Sequence, residues 1–486
     1  MQFGSFLRKI NSQLQSVYSS NLFTKFFAGW SLLSFLVSFN TFFGKGYLVI
    51  NSPSPCFPHF QNCKELFAAF ELFPLPFSYR ESIFFTILFS LIVLGTYFLY
   101  KQKYFYTHLI LVFLFIVKLI IITSNYGSGN YDYYDLIIIF VFLLYPTRVD
   151  LLKLTFVVLY FLASTIKIHS GWILGTYFSS LYYGLPLVPN NLIPIATNIV
   201  ILTQLVGCWF LLSTNKKISS YLIYFYIFFH LYSTILVGYR YPTTALLSLL
   251  VIFIIGETSK TPPDFTIKKK TIPFYIFLAS LFVLQSIAYF IPGDQKLTLE
   301  GNNYGIYMFE ANHQCISYLT PKNGPQQITS SYDSRSRCDP YVYMKRIQSN
   351  YCSTSTKGEI NWVFDHSING EGFKRIVSVE NVCNLVYEPF THNNWIETER
   401  TAETVGKAYK NLILTKEIPD NSILKAGEYI YSASLINSKP VKKTNLQILM
   451  EGNLSWLESF YWFLWFGSLL YMLIRLLKNT FDKKNT

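Results

Sequence analysis

A lysine falls near the end of an apolar run long enough to enter a membrane, in the stretch Phe161-Leu-Ala-Ser-Thr-Ile-Lys167-Ile-His169-Ser-Gly-Trp172-Ile-Leu-Gly175. An ammonium at the centre of a transmembrane helix costs about 3 kcal/mol on insertion scales, and such groups face a cavity or a partner. A lysine held without its proton is a base, so Lys167 is the first candidate for acid–base chemistry. At ~1.5 Å per residue it lies about 24 Å along a helix counted from Leu151, near the outer edge of the hydrocarbon. A lysine there can also snorkel to the headgroups. Trp172, Gly171 and Gly175 just beyond point instead to a tight re-entrant or cavity-lining turn.

Other polar groups interrupt apolar segments. His230, in Tyr224-Phe-Tyr-Ile-Phe-Phe-His230-Leu-Tyr-Ser-Thr234, is either a hydrogen-bonded packing residue or a cavity-lining proton carrier. Asn130-Tyr131-Asp132-Tyr133-Tyr134-Asp135 opens a helix, and its carboxylates can simply cap it. Alternatively Asn130 and Asp135 line the mouth of the Lys167 cavity, where an aspartate is a candidate partner for Lys167 or Arg240. Arg240 suits an acidic substrate or a phospholipid headgroup equally well. His313, His366 and His392 are too scattered to suggest a metal site, and no metal is expected. Phosphate loops, His-Glu-x-x-His and Gly-x-Ser-x-Gly are absent.

The elements that must position these residues follow from composition. Half of the 486 residues are hydrophobic and only 14% are charged, against roughly a quarter in soluble domains. The deficit is concentrated before residue 293 and after 454. Runs of about 20 apolar residues predict helices near 22–43, 79–100, 104–124, 135–147, 151–170, 193–214, 218–239, 242–257, 272–291 and 455–477. The net charge of +13 does not point to nucleic acid, because the basic residues cluster in alternate loops between apolar segments, as the positive-inside rule requires. Those loops vote for both termini in the cytoplasm and residues 293–452 outside. The expected fold is thus an α-helical polytopic membrane bundle of about nine spans (residues 1–292), an extracytoplasmic β-rich or α+β domain (293–452), and one C-terminal transmembrane helix with a basic tail (453–486). Met1–Ser20 has no short apolar core, so the first span is expected to serve as the targeting signal.

Cys56, Cys63, Cys315, Cys338, Cys352 and Cys383 all fall outside on this topology and are disulfide candidates, with pairing left open. In the outer segment, Ile360–Phe364, Phe373–Val377 and Asn384–Tyr387 are β-prone, and Asn369-Gly370 predicts a hairpin turn between the first two. Ala408–Thr415 suits a helix, and 426–450 reads as β-rich.

The Lys167 stretch, an apolar helix ending in lysine followed by Trp172 and Gly175, resembles the vitamin K-dependent γ-glutamyl carboxylase family and its wider relatives, the horizontally transferred transmembrane domain (HTTM) proteins. Phe229-His230, Asn303-Tyr304-Gly305, His313, Ser367-Ile-Asn369 with Arg375-Ile376, Pro389-Phe390 and Trp395 extend the likeness in order, over roughly residues 20 to 400. Where the carboxylases carry Asn-His, this chain has Asn130-Tyr131. The resemblance implies a lyase-type peptide-maturation enzyme. Lys167 would be the base toward a reduced vitamin K-type quinone, O₂ and CO₂ would be co-substrates, and a glutamate of a secreted peptide or protein would be carboxylated. His230, Asn130, Tyr304, His313, Trp172 and Arg240 become candidates for binding cofactor or substrate. The expected partners are membrane lipid and the secreted substrate. The alternatives are a non-catalytic maturation or export factor for a secreted peptide, of the toxin-maturation type, and a transporter. The lack of an internal repeat argues against the transporter.

Overall fold

The computed structural model describes residues 2–39, 57–58, 77–124, 131–181, 183–237, 240–258, 265–307, 310–321, 331–332, 338–352, 359–406, 429–435 and 439–482. The helices before the outer domain are α1 (Gln2–Ser20), α2 (Leu22–Val37), α3 (Phe77–Tyr100), α4 (Tyr104–Ser124), α5 (Tyr131–Leu144) and α6 (Val149–Thr165). They continue with the one-turn α7 (Ser170–Ile173) and α8 (Thr176–Ser179), then α9 (Ile193–Leu205), α10 (Lys216–Val237), α11 (Arg240–Leu249) and α12 (Ile272–Phe290).

Local chemistry sets several boundaries. Asn21 caps α2 by accepting from the Phe23 amide, and prolines open α9 and α12, where a missing N–H costs nothing. Among the described residues, five segments are long and apolar enough to cross a membrane: Ser82–Tyr100, Tyr104–Thr123, Lys216–Leu236, Lys269–Phe290 and Leu454–Lys478. The chain is a membrane protein. The remaining expected spans are helical but shorter: α2, α5, α6, α9 with a following 3-10 turn at Gly207–Leu212, and α11 continued by a π turn at Leu250–Ile254.

Helix α6 is apolar on every side, a pattern that suits only a surrounded helix. Apart from Asp150 and Lys153, each of its residues is buried. It packs against α5, α9, α12, the 3-10 turn and the π turn. Phe161 on α6 stacks on Trp465, with ring centroids 4.9 Å apart.

The outer segment holds α13 (Gln295–Thr298), α14 (Pro340–Ile347) and α15 (Asn445–Glu451), followed by the long α16 (Leu454–Asp482). Its strands are β1 (His313–Pro321), β2 (Ser331–Tyr332), β3 (Ile360–Ile368), β4 (Phe373–Val379), β5 (Glu403–Gly406) and β6 (Tyr429–Leu435). They form one sheet of order β2-β6-β1-β3-β4-β5. All neighbours are antiparallel except β2 and β6. A core including Trp362, Phe364, Tyr343, Ile347 and Ile376 packs this domain, separate from the membrane core.

Two disulfides staple it. Cys315–Cys338 joins β1 to the start of α14, and Cys352–Cys383 joins the turn after α14 to the turn at Val382–Asn384. Cys56 and Cys63 lie outside the described residues, as does Ala408–Thr415.

The Asn369-Gly370 hairpin is present, with φ of +53° and +74°. Gly370 is required twice over, because a Cβ there would also meet the Lys439 carbonyl oxygen at 2.3 Å. Two expectations fail. Asn384–Tyr387 is not a strand: its Leu385 and Val386 carbonyls accept from Gln348 Nε2 and Trp395 Nε1 instead of from a neighbouring strand. Within 426–450, Asn445 onward is helical. Thr444 and Gln447 form a reciprocal capping box that nucleates α15.

Candidate functional site

Lys167 hangs from the last turn of the central helix. It is 5% exposed, so it does not snorkel to the surface. Its Nζ donates to the Ala163 carbonyl at 2.8 Å and lies 5.1 Å from the centre of the Trp172 ring. Trp172 is stacked with Tyr177 at 5.8 Å and meets Phe178 edge-on at 5.1 Å. Chain reversal is possible because Gly175 takes φ +69° and packs where a Cβ would strike Ile193 at 2.7 Å. Two one-turn helices, α7 and α8, carry the chain through this turn, residues 166–180.

Carboxamides from four elements clamp this turn. Gln285 of α12 donates to Thr165 Oγ1 at 3.1 Å, and Asn198 of α9 donates to the Ile173 carbonyl at 2.7 Å. Gln447 of α15 donates to the Leu174 carbonyl at 2.9 Å and to Ser179 Oγ at 3.1 Å. Asn312, just before β1, donates to Ser180 Oγ at 3.2 Å, and the Lys439 amide donates to the Ser180 carbonyl at 2.7 Å. Bundle and outer domain therefore hold the lysine turn between them, and each buried polar backbone group they satisfy would otherwise cost about 1–3 kcal/mol.

Glu310 is the acidic group whose field reaches Lys167, and it also acts on His169, Tyr177 and Tyr307. It is 3% exposed, and its Oε1 lies 3.7 Å from His313 Nε2. His313 Nδ1 is 3.1 Å from His366 Nε2, and His366 Nδ1 is 2.7 Å from the Leu297 carbonyl oxygen. Sheet register makes the histidines meet. His313 pairs with Ile368 and Cys315 with His366, so the two rings are diagonal neighbours on one face. Burial, reinforced by the neighbouring His313, lowers His366 from 6.5 to about 3.

The other candidates are distributed differently. His230 is fully buried and hydrogen-bonded through Nε2 to Tyr160 Oη, about two turns below Lys167 on the α6 side, as a packing histidine would be. Tyr304 is stacked on Phe390 at 4.9 Å and edge-on to Phe57 at 5.8 Å, and burial raises its hydroxyl above the ordinary tyrosine range. Its chain neighbours touch Gln285, which clamps the lysine turn. Gly305 packs on Gln285, and the Ile306 amide donates to Gln285 Oε1 at 2.6 Å. Arg240 is the first residue of α11, and Asn130 lies outside the described residues.

Asp135 pairs with Lys118 rather than with Lys167, and the Arg240 side chain is not among those described. Asp135 accepts from Lys118 Nζ at 2.7 Å and from Ser34 Oγ at 2.6 Å, with Asp132 Oδ1 3.5 Å from the same ammonium. Lys118, a second buried lysine, is hidden in the sequence by its apolar run, and the acidic opening of α5 is the only signal of a partner. Glu310, His366 and the carboxamide clamps carry no local motif at all.

Among the described residues, no group of three His, Cys, Asp or Glu side chains is placed to hold a metal. A cleft of about 360 Å³ lies at Arg8, Gln15, Lys103 and Tyr106, on other elements than the lysine turn. Comparison of the chain with protein-family models, with curated proteins and with solved structures finds no match.

Proposed function

We propose that the chain is an integral membrane enzyme of the γ-carboxylase type, in which Lys167 is the base and a secreted peptide or protein is the substrate. One observation carries this reading. An amine with three possible donor positions sits buried beside an indole face, with the Ala163 carbonyl as its hydrogen-bond acceptor. A lysine kept only for stability would be paired as Lys118 is.

The surrounding residues fit a flat, weakly acidic, apolar headgroup such as a reduced quinone. Trp172, Tyr177 and Phe178 offer aromatic faces beside the amine. A bound hydroquinone would supply an acidic hydroxyl and the electrons consumed by O₂, with CO₂ as the carboxyl source. Lys167 Nζ, when neutral, takes the hydroxyl proton and forms one N–H bond. The clamped turn excludes water, which strengthens every charge interaction inside it. Nine spans, cytoplasmic termini and an extracytoplasmic outer domain complete the proposal, since they would put the lysine turn on the side where a secreted peptide arrives.

The test is co-expression with small secreted glutamate-rich peptides, followed by mass spectrometry. Wild type is expected to add the mass of one CO₂ per modified glutamate, and Lys167→Ala to add none. No gain from wild type in membranes supplied with reduced quinone would sink carboxylation. Equal gain in wild type, Lys167→Ala and Lys167→Arg would sink the lysine as base.

A further inference from the structure

The spans Ser82–Tyr100 and Tyr104–Thr123 are joined by only Lys101-Gln102-Lys103, so this reversal lies where membrane meets water. Helix α1 packs beside it, against α2 and α4. Gln15 Nε2 donates to the Gln102 carbonyl at 2.8 Å, and Tyr18 stacks on Tyr104 with ring centroids 5.2 Å apart. Helical period sorts the residues of α1 between two faces. Leu14, Val17 and Tyr18 pack on the bundle core. Arg8, Asn11, Ser12 and Gln15, three or four residues apart, line the open cleft of about 360 Å³, together with Lys103 and Tyr106.

The cleft is cationic. Arg8 and Lys103 line it, and no carboxylate does among the described residues. Residues 1–64 and 82–131 contain no Asp or Glu at all. Two further ammoniums stand at the same end of the bundle: Lys25 Nζ is 5.7 Å from the centre of the Tyr104 ring, and Lys101 Nζ is 5.4 Å from that of Tyr100. Tyr106, the third residue of its span, is half exposed and adds ring surface continuous with the lipid-facing side of α4. Cations and amide donors beside an apolar wall suit an amphiphile with an anionic head better than a soluble anion. We propose that this cleft seats the headgroup of an anionic phospholipid. The guanidinium of Arg8 and the ammonium of Lys103 take the phosphate, Asn11 and Ser12 face the polar end of the headgroup, and the acyl chains leave past Tyr106 into the bilayer. The bound lipid bridges α1 to the α3–α4 reversal. Nothing in this assignment depends on Lys167 or on any reaction there.

Native mass spectrometry of the full chain in detergent, titrated with phosphatidylglycerol or phosphatidylcholine, tests the site. A basic residue at a membrane surface is worth about fivefold in affinity for anionic lipid, so the wild type should prefer phosphatidylglycerol by about twentyfold. The double variant Arg8→Gln, Lys103→Gln should lose most of that preference. Ser12→Trp, which fills the cleft without changing its charge, should lose it as well. A second pair of cations at the start of α10, changed as Lys216→Gln with Lys217→Gln, should leave the preference intact. Unfolding temperatures in phosphatidylcholine, unchanged across the variants, show that each is folded. Equal affinity of the wild type for the two lipids overturns the proposal. So does a preference that survives Ser12→Trp, or one that falls equally in the Lys216 and Lys217 variant, since the lipid would then follow net charge rather than the cleft. Full displacement of the lipid by millimolar inorganic phosphate overturns the phospholipid as occupant.

Discussion

Asn369 lies directly over Gly171: a Cβ on Gly171 would come within 2.5 Å of Asn369 Nδ2. The tip of the outer hairpin thus rests on the turn that carries Lys167, four residues beyond the lysine. The same asparagine holds Asn312 at both backbone ends, accepting from the Asn312 amide at 3.0 Å and donating its own amide to the Asn312 carbonyl at 2.8 Å. Outer-domain geometry and lysine geometry are mechanically linked at this point.

Gly171→Ala should therefore destabilise the folded protein by about 1–3 kcal/mol, the usual cost of overpacking. Asn369→Ala in the same chain should recover part of the loss. Recovery is incomplete because the His169 ring, 2.8 Å from the added carbon, also has to shift. Unfolding of the single and double variants in detergent gives the coupling energy. Strict additivity would mean that the hairpin and the turn do not touch.

Lys118→Met leaves Asp135 buried without the cation it pairs with. Removing one partner of a buried pair costs about 3–5 kcal/mol. Adding Asp135→Asn should restore most of it, because the uncompensated carboxylate is gone. Thermal stability of the wild type, the single and the double variant checks this, and a tolerated single variant would show that Asp135 is solvated.

His366 makes the outer domain sensitive to acid. Its folded value near 3 is below the unfolded 6.5, so below pH 6.5 the unfolded chain binds the extra proton. The stability this neutral ring contributes is complete above 6.5. It is lost as pH falls toward 3, at up to about 1.4 kcal/mol per pH unit. Unfolding of the wild type between pH 7 and 4 should show this slope. His366→Gln should flatten it while lowering stability at pH 7, because the bond to Leu297 changes.

Each disulfide closes a loop of 23 or 31 residues and should contribute about 3 kcal/mol. Peptide mapping without reduction should recover Cys315 linked to Cys338 and Cys352 linked to Cys383. Reduction should lower the unfolding temperature of the outer domain more than that of the bundle. Other pairings would contradict the sheet register around Cys315.

The helices were legible because apolar runs of membrane length admit few other structures. Asn369-Gly370 was legible because two consecutive positive φ values select those residue types. Strand β1 was not. Its positions from His313 to Leu319 are buried, which erases the alternation that marks a half-exposed strand. Lys167, with Trp172 and two glycines within eight residues, could be singled out from order alone. What it touches could not. Glu310, His313 and His366 are joined by strand register, Gln285, Asn198, Asn312 and Gln447 converge from four separate elements, and Lys118 finds Asp135 across two helices. Sequence determined which segments prefer lipid and where one costly charge lies, because those are local free energies of transfer. Only the tertiary structure decided which groups share that charge's surroundings, because hydrogen bonds and ion pairs depend on distances that chain order does not contain.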